Sequence, residues 1–171
     1  RTSYTSAPQV GIEFNNLGAT YAYEDRRAYG QSKLANVLFA LHLGKLLMGT
    51  RMTVNALHPG VINTKIDRHM SGFKQTGFAL MAALGGTKSV EQGAATSCYV
   101  ATNPSLGATS GKYFEDCNAV TVQEGHLHDE AMAEELWQIS ENLTRDYLVS
   151  HTGPDWNDRE RALRESRAAE E

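Results

Sequence analysis

Residues 28–35 read Ala28-Tyr29-Gly30-Gln31-Ser32-Lys33-Leu34-Ala35, and His58-Pro59-Gly60 follows after one predicted helix and one predicted strand. Residues four apart lie on one face of a helix, so the Lys33 ammonium can reach the Tyr29 phenol. Free tyrosine is a poor base near pH 7, but a fixed positive charge nearby favours the phenolate. The pair therefore predicts a general acid/base for an alcohol or a carbonyl group.

The residues around this pair predict a long helix followed by a strand. Asp25 is a good N-cap residue, and Gly49 is expected to end the helix. Its apolar stripe consists of Leu34, Val37, Leu38, Leu41 and the stem of Lys45. Residues 52–57 predict a short strand that stops before Pro59-Gly60, which is half of an α/β repeat. Since ligands of open α/β sheets bind beyond the carboxyl ends of strands, we expect ligand contacts at residues 58–64.

The rest of the chain predicts two more helices and one strand. Residues 89–100 read as a helix that Ser89 caps, and residues 111–114 read as a short strand. Residues 128–148 predict a helix whose apolar positions are Met132, Leu136, Ile139, Leu143 and Tyr147.

Residues 65–88 are apolar but interrupted by glycines, which is typical of a movable lid. Phe73, Phe78 and Met81 lie in this stretch, and two interpretations of them stay open: core residues, or a lid over a lipophilic substrate. We expect the charged residues from 151 to 171 to form a flexible tail.

The composition is that of one globular domain. The chain has 171 residues, of which 41% are hydrophobic and 21% charged. The net charge of −4 comes without a basic cluster, which argues against a nucleic-acid partner. No apolar run is long enough to predict a membrane span. Cys98 and Cys117 have no metal-ligand spacing, so we expect no metal site and a reduced compartment, by default the cytoplasm.

The start of the sequence predicts that the chain is part of a longer protein. Residues 1–6 include no methionine and no apolar signal segment. Membrane association through a segment upstream of Arg1 therefore stays an open alternative.

Five motifs together resemble the short-chain dehydrogenase/reductase family. A Tyr-x-x-x-Lys pair alone arises often by chance, and Tyr29 and Lys33 alone would be ordinary helix residues. The matching stretches are residues 28–39, residues 54–64, Gly11-Ile12-x-Phe14-x-Asn16-Leu17, Gln92-Gly93-Ala94-Ala95 and Gly111-Lys112-Tyr113-Phe114. The resemblance covers about residues 10 to 148 and is closest to the retinol-dehydrogenase and WW-domain-oxidoreductase-like branch.

The resemblance implies roles for six residues. Tyr29 would be the general acid/base, and Lys33 would favour its phenolate and bind the ribose next to the nicotinamide. In Pro59-Gly60-x-x-x-Thr64, the loop would hold the nicotinamide carboxamide through the backbone near Ile62 and the Thr64 side chain. For His58, an ordinary strand-end position is favoured over a catalytic role. The implied cofactor is NAD or NADP, and the implied substrate is a small alcohol or carbonyl compound.

The sequence departs from the family pattern upstream of the tyrosine. The glycine-rich dinucleotide fingerprint, the Asn-Ala-Gly motif and the helix-borne catalytic asparagine are not in these residues. Ser3 has nearly the spacing of the catalytic serine, but that serine is equally placed upstream of Arg1. By default Ser3 and Ser6 are loop residues.

The expected fold is an α/β, doubly wound, Rossmann-like parallel sheet without its N-terminal strands. Residues 1–150 would be the C-terminal part of one NAD(P)-binding domain. The implied function is NAD(P)-dependent interconversion of an alcohol and a carbonyl, with a lipophilic substrate favoured; the alternative is an inactive truncated or non-catalytic interaction protein. Without the first strands, we expect the stripe at Leu34, Val37, Leu38 and Leu41 to face water on one side and to cause association, including a homo-oligomer.

Overall fold

The computed structural model describes residues 10–62, 86–120 and 125–151, together with Glu165. Its elements are helix α1 (Asp25–Leu46), strand β1 (Asn55–His58), helix α2 (Val90–Thr102), strand β2 (Lys112–Glu115), strand β3 (Asn118–Ala119) and helix α3 (Glu130–His151). Single 3-10 turns lie at Phe14–Asn16 and Pro104–Leu106. Among these residues, no helix is both long and apolar enough to cross a lipid bilayer. Of the predicted lid only residues 86–88 are described, and nearly all of the predicted tail lies outside the described residues.

The three strands form one sheet in the order β1-β2-β3. Strands β1 and β2 are parallel, with a register that runs from Asn55 opposite Lys112 to His58 opposite Glu115. Because parallel neighbours need a crossover connection, α2 lies between them in the chain. Strand β3 returns antiparallel to β2 through a two-residue turn. The α/β architecture predicted from the sequence is confirmed.

Helices cover both faces of this sheet. Successive residues of a strand point to opposite faces, and both Tyr113 and Phe114 of β2 are buried. Tyr113 belongs to the main core with residues of α1 and α3, whereas the Phe114 ring lies 6.4 Å from the ring of Tyr99 on α2. Coverage of both faces is the arrangement expected of a doubly wound sheet.

The apolar stripe of α1 is buried, which corrects the expectation that it faces water. Leu34 is 2% exposed and Leu38 is fully buried. Helix α3 packs along α1 and closes the stripe. The residues that complete this core are Ile12, Val37, Tyr113, Leu127, Ala133 and Leu136, with Leu41 packed against them. At the end of α1, Lys45 Nζ lies 2.5 Å from Glu130 Oε2 of α3. The association that we expected therefore has no basis in this stripe.

The start of α2 agrees with the prediction, and the start of α1 does not. Ser89 caps α2: its hydroxyl accepts from the Gln92 N–H at 3.2 Å, and the Gln92 side chain accepts from the Ser89 N–H at 2.9 Å. In α1 the N-cap is Glu24, which makes no side-chain cap bond, and Asp25 is the first helical residue. The Asp25 carboxylate accepts from the N–H of Arg26, and a negative charge in the first turn also complements the helix dipole.

Gly44 allows α1 to approach the sheet closely. A Cβ at Gly44 would lie 2.9 Å from the Cα of Gly111, just before β2. Gly111 itself has a positive φ of 68°, a conformation that glycine adopts without strain. This backbone contact fixes the position of α1, and therefore of Tyr29 and Lys33, relative to the strands.

Candidate active site

Helix α1 brings Tyr29 and Lys33 together on one face. The Lys33 Nζ lies 5.3 Å from the centroid of the Tyr29 ring, within the range of a cation–π contact. Tyr29 is 53% exposed, so its ring is open to a ligand. The pair has the proximity that its spacing predicted.

A cleft of about 420 Å³ lies between α1 and β1. Four predicted site residues line it: Tyr29 and Lys33 from α1, and Pro59 and Gly60 from the loop after β1. The other lining residues are Asn36, Val37, Phe39, Ala40, Val54, Asn55, Ala56, Leu57, His58 and Tyr113. The cleft therefore joins the Tyr29 and Lys33 side chains to the loop at the carboxyl end of a parallel strand, where ligands of α/β sheets bind.

One wall of this cleft carries an aromatic stack. The Phe39 ring lies 5.1 Å from the ring of Trp137 on α3, and the buried His42 ring stacks on Trp137 at 5.2 Å. The Trp137 indole N–H donates to Glu141 at 2.7 Å. These contacts hold the half-exposed Phe39 ring in place as an apolar part of the cleft wall.

Gly60 has a backbone conformation that favours glycine. Its φ is +90°, and a Cβ there would lie within 2.7 to 2.9 Å of the Lys88 side chain. Its N–H donates to Nδ1 of His58 at 3.0 Å. Gly60 is therefore favoured by its dihedral angle, and a larger residue would also displace the end of the Lys88 side chain.

Ile62 lies beside the cleft and not among its lining residues. It forms a parallel bridge with Lys88, and the Lys88 N–H donates to the Val61 carbonyl at 2.7 Å. Its side chain packs onto α2, where a Cβ at Gly93 would lie 2.2 Å from the Ile62 Cδ1. The predicted role of Ile62 uses its backbone, and this packing fixes that backbone.

Several predicted residues lie outside the described part of the chain. They are Ser3, Ser6, Thr64, Phe73, Phe78 and Met81.

The surroundings of His58 lower its pKa and so favour the neutral imidazole. Burial lowers the pKa of His58 below its ordinary value of 6.5, and the nearby Lys88 lowers it further, whereas Glu115 and Asp116 oppose the shift. Its Nδ1 accepts from Gly60, so the proton of the neutral ring is on Nε2. The Glu115 Oε1 lies 3.6 Å from the same Nδ1.

Sequence reasoning missed Lys88, Glu115 and Asp116 as neighbours of the loop. Lys88 and Asp116 form an ion pair. Asp116 and Cys117 have φ values of +51° and +60°, as in a type I′ hairpin turn. Such turns are recognised in sequences by Asn or Gly at the two central positions. The Asp116-Cys117 turn has neither residue there, so the sequence did not predict it.

A second cavity of about 230 Å³ lies on another face of α1. Gln31 and Ser32 line it, as do Glu13 and Arg27, which form an ion pair. Tyr29 and Lys33 do not line this cavity, so it is not where the predicted chemistry lies. In the described ranges, no group of three His, Cys, Asp or Glu residues could hold a metal ion.

Comparison with known proteins identifies relatives for most of the chain. No family model matches it. It is 42% identical over 145 residues to the chloroplastic short-chain dehydrogenase TIC 32 B of Brassica napus. The aligned residues cover 82% of this chain and 44% of that protein. It is 36% identical over 137 residues to human retinol dehydrogenase 14, with 76% of this chain and 39% of the relative covered. Mouse retinol dehydrogenase 12 is 40% identical over 129 residues, with coverages of 75% and 40%.

The chain thus spans about two fifths of the length of these relatives. The resemblance predicted from the Tyr29, Pro59 and Gly93 motifs is confirmed, including its retinol-dehydrogenase branch. The chain belongs to the short-chain dehydrogenase/reductase family.

Proposed function

We propose that the protein is an NAD(P)-dependent oxidoreductase that interconverts an alcohol and a carbonyl group on a small lipophilic substrate. The observation that carries the proposal is the joint placement of Tyr29, Lys33, Pro59 and Gly60 along one cleft. Family membership supports the general class of reaction, because the named relatives are dehydrogenases.

Tyr29 exchanges the proton with the substrate oxygen in this proposal. Its exposed phenol opens into the cleft, where an alcohol or carbonyl oxygen can reach it. Lys33 lies over the same ring and supplies a fixed positive charge, which favours the phenolate that accepts the proton. The Lys33 ammonium group has three N–H donors, which can also bind ribose hydroxyls.

The cleft fits the nicotinamide end of a dinucleotide. Its volume of about 420 Å³ lies in the range of small-molecule sites. Its walls combine apolar residues with polar side chains that include Tyr29, Lys33, Asn36, Asn55 and His58. Lys33, the Pro59-Gly60 loop, the backbone near Ile62 and the Thr64 side chain would hold this end. The bound nicotinamide supplies the hydride acceptor or donor.

A lipophilic substrate is supported by an apolar part of the cleft wall. The half-exposed Phe39 ring, stacked on Trp137, gives that wall an apolar surface. Two of the named relatives are retinol dehydrogenases, and retinol is a lipophilic alcohol.

The second candidate is a non-catalytic interaction protein that keeps the fold. One fold can host both catalytic and non-catalytic proteins, so the α/β fold is equally compatible with this candidate.

One experiment separates the two candidates. NADH and NADPH are titrated by calorimetry into the natural full-length protein that carries these residues, and oxidation of retinol and of short aliphatic alcohols is followed through cofactor absorbance. The proposal predicts micromolar binding of one cofactor together with turnover. Binding without turnover of any alcohol or of the matching carbonyl compounds supports the second candidate, and the absence of binding contradicts the proposal.

A further inference from the structure

The Pro59-Gly60 loop is held on one side by the residue that precedes it. The Gly60 N–H donates to His58 Nδ1, and the His58 side chain is only 14% exposed. A side chain that accepts from the N–H two residues further on closes a tight local ring, as Asn and Asp do in turns. Because the neutral ring offers only one acceptor nitrogen, this bond also fixes the orientation of the imidazole.

Lys88 holds the loop on its other side. Its Cδ, Cε and Nζ lie 2.7, 2.9 and 2.9 Å from the place of a Cβ at Gly60, so the lysine stem covers that face of the glycine. The Lys88 backbone N–H donates to Val61 at 2.7 Å. The side chain and the backbone of one residue therefore both contact the loop.

The Lys88 contact is anchored at the carboxyl end of β2, where Asp116 pairs with Lys88. Glu115, the residue before it, lies opposite His58 in the strand register. The Glu115 carboxylate makes no hydrogen bond to His58 Nδ1, because that nitrogen already accepts from Gly60. The turn that carries Asp116 is fixed in turn, because the Cys117 N–H donates to the hydroxyl of the buried Thr96 at 3.2 Å. The loop after β1 is thus tied to β2 and α2 through side chains.

We propose that His58 and Lys88 are positioning residues that clamp the Pro59-Gly60 loop in the conformation that receives the nicotinamide end of the cofactor. This inference rests on the proposed function, since the loop lines the same cleft as Tyr29 and Lys33. A loop that is ordered before binding loses less entropy when the ligand arrives, so the clamp raises cofactor affinity. The clamp also keeps the nicotinamide aligned with Tyr29. Small displacements of the reacting groups reduce the rate of the chemical step.

Three variants and one control separate the His58 bond and the Lys88 contact from general stability. His58→Leu removes the acceptor for the Gly60 N–H, whereas His58→Asn retains an acceptor that reaches the N–H two residues on. Lys88→Ala removes the stem that covers Gly60. Lys112→Ala is the matched control, because the Lys112 side chain is exposed at the start of β2 and lies outside the cleft.

Two readouts are measured on the natural full-length protein. The first is amide hydrogen exchange at Gly60 by NMR, which needs no cofactor. The second is the KM for NADH or NADPH together with kcat. We expect His58→Leu and Lys88→Ala to accelerate Gly60 exchange and to raise the cofactor KM. For His58→Leu the rise should be about fivefold, the effect of one lost hydrogen bond. The fall in kcat should be smaller, and both effects should be absent in His58→Asn and Lys112→Ala.

The clamp is overturned if Gly60 exchange accelerates while the cofactor KM stays unchanged in both His58→Leu and Lys88→Ala. It is also overturned if His58→Asn behaves like His58→Leu, because the acceptor would then not matter. If His58→Leu does not fold, Lys88→Ala decides alone. A wild-type protein that binds neither cofactor overturns the proposed function and the clamp together, and that failure is recognised before any variant is made.

Discussion

The side-chain nitrogen of Lys33 lies 5.3 Å from the centre of the Tyr29 ring, and both side chains open into the cleft that ends at Gly60. The fold positions this pair through α1, whose buried face is fixed by Leu34 and Leu38. The exposed face of the helix is thereby free to present the two polar side chains. The first predictions concern this pair and the contacts that fix its surroundings.

Lys33→Met should lower kcat/KM by about tenfold or more in the natural full-length protein, since it removes the charge beside the phenol and a donor to the ribose. Steady-state kinetics with varied cofactor measures this loss. Lys45→Met is the control, because Lys45 lies on the same helix and pairs with Glu130, away from the cleft. Equal kcat/KM values for the two variants would show that Lys33 has no special role.

Gly93→Ala and Ile62→Ala should be coupled. Alone, Gly93→Ala should destabilise the protein by about 1–2 kcal/mol, because the new methyl group would overlap the Ile62 Cδ1. With Ile62 truncated to alanine the overlap disappears, and the higher helix propensity of alanine should then stabilise by up to about 1 kcal/mol. Denaturant unfolding of the four proteins measures the coupling. An identical effect of Gly93→Ala in both backgrounds would contradict the observed packing.

Gly44→Ala should destabilise the protein by about 1–3 kcal/mol in spite of its better helix propensity, because the methyl group would meet the backbone of Gly111. Backbone yields less readily than the end of a side chain. Gly18→Ala is the control, since a Cβ there would only reach Thr20 Oγ1 at 3.5 Å. The two unfolding free energies should differ clearly, and equal values would refute the close approach of α1 to β2.

The stability of the protein should decrease as the pH falls below about 6.5, in part because of His58. Burial lowers the pKa of His58 in the folded state, so the unfolded chain binds a proton first. The contribution of neutral His58 to the unfolding free energy is complete at a pH above the pKa of the unfolded chain. It is lost as the pH falls toward the lowered pKa of the folded state. Denaturant unfolding at pH 7.5 and at pH 5.5 measures it. His58→Asn should lose less stability than the wild type over this range, and an equal loss would rule out the contribution.

Local patterns in the sequence predicted the three helices, strands β1 and β2 and the pair on α1, because those features depend on near neighbours. Strand β3, of two residues, was not predicted. The apolar stripe that includes Leu34 and Leu38 predicted helix α1, and Ser89 predicted the start of helix α2. The stripe predicted for α3 extends too far, since Leu143 and Tyr147 are exposed in the structure. The spacing of apolar residues identifies which face of a helix is buried. It does not show how far along the helix another element packs against that face.

The neighbours of the loop could not be predicted in the same way. Lys88 reaches Gly60 only through the bridge between Lys88 and Ile62, which is a tertiary contact. A lysine before a helix cap is an ordinary surface residue in a sequence. Similarly, the apolar stripe of α1 is buried because α3 packs on it. The spacing of apolar residues in α1 does not show which element covers the stripe.

The central claim is that Tyr29 transfers the proton in the cleft between α1 and β1. It is tested most directly by the turnover number of Tyr29→Phe in the natural full-length protein, measured beside Tyr21→Phe, whose ring is 83% exposed and lies outside the cleft. The account predicts that Tyr29→Phe loses turnover by at least about a hundredfold while its cofactor affinity stays within about twofold, and that Tyr21→Phe equals the wild type. Turnover of Tyr29→Phe within a few-fold of the wild type would contradict the account.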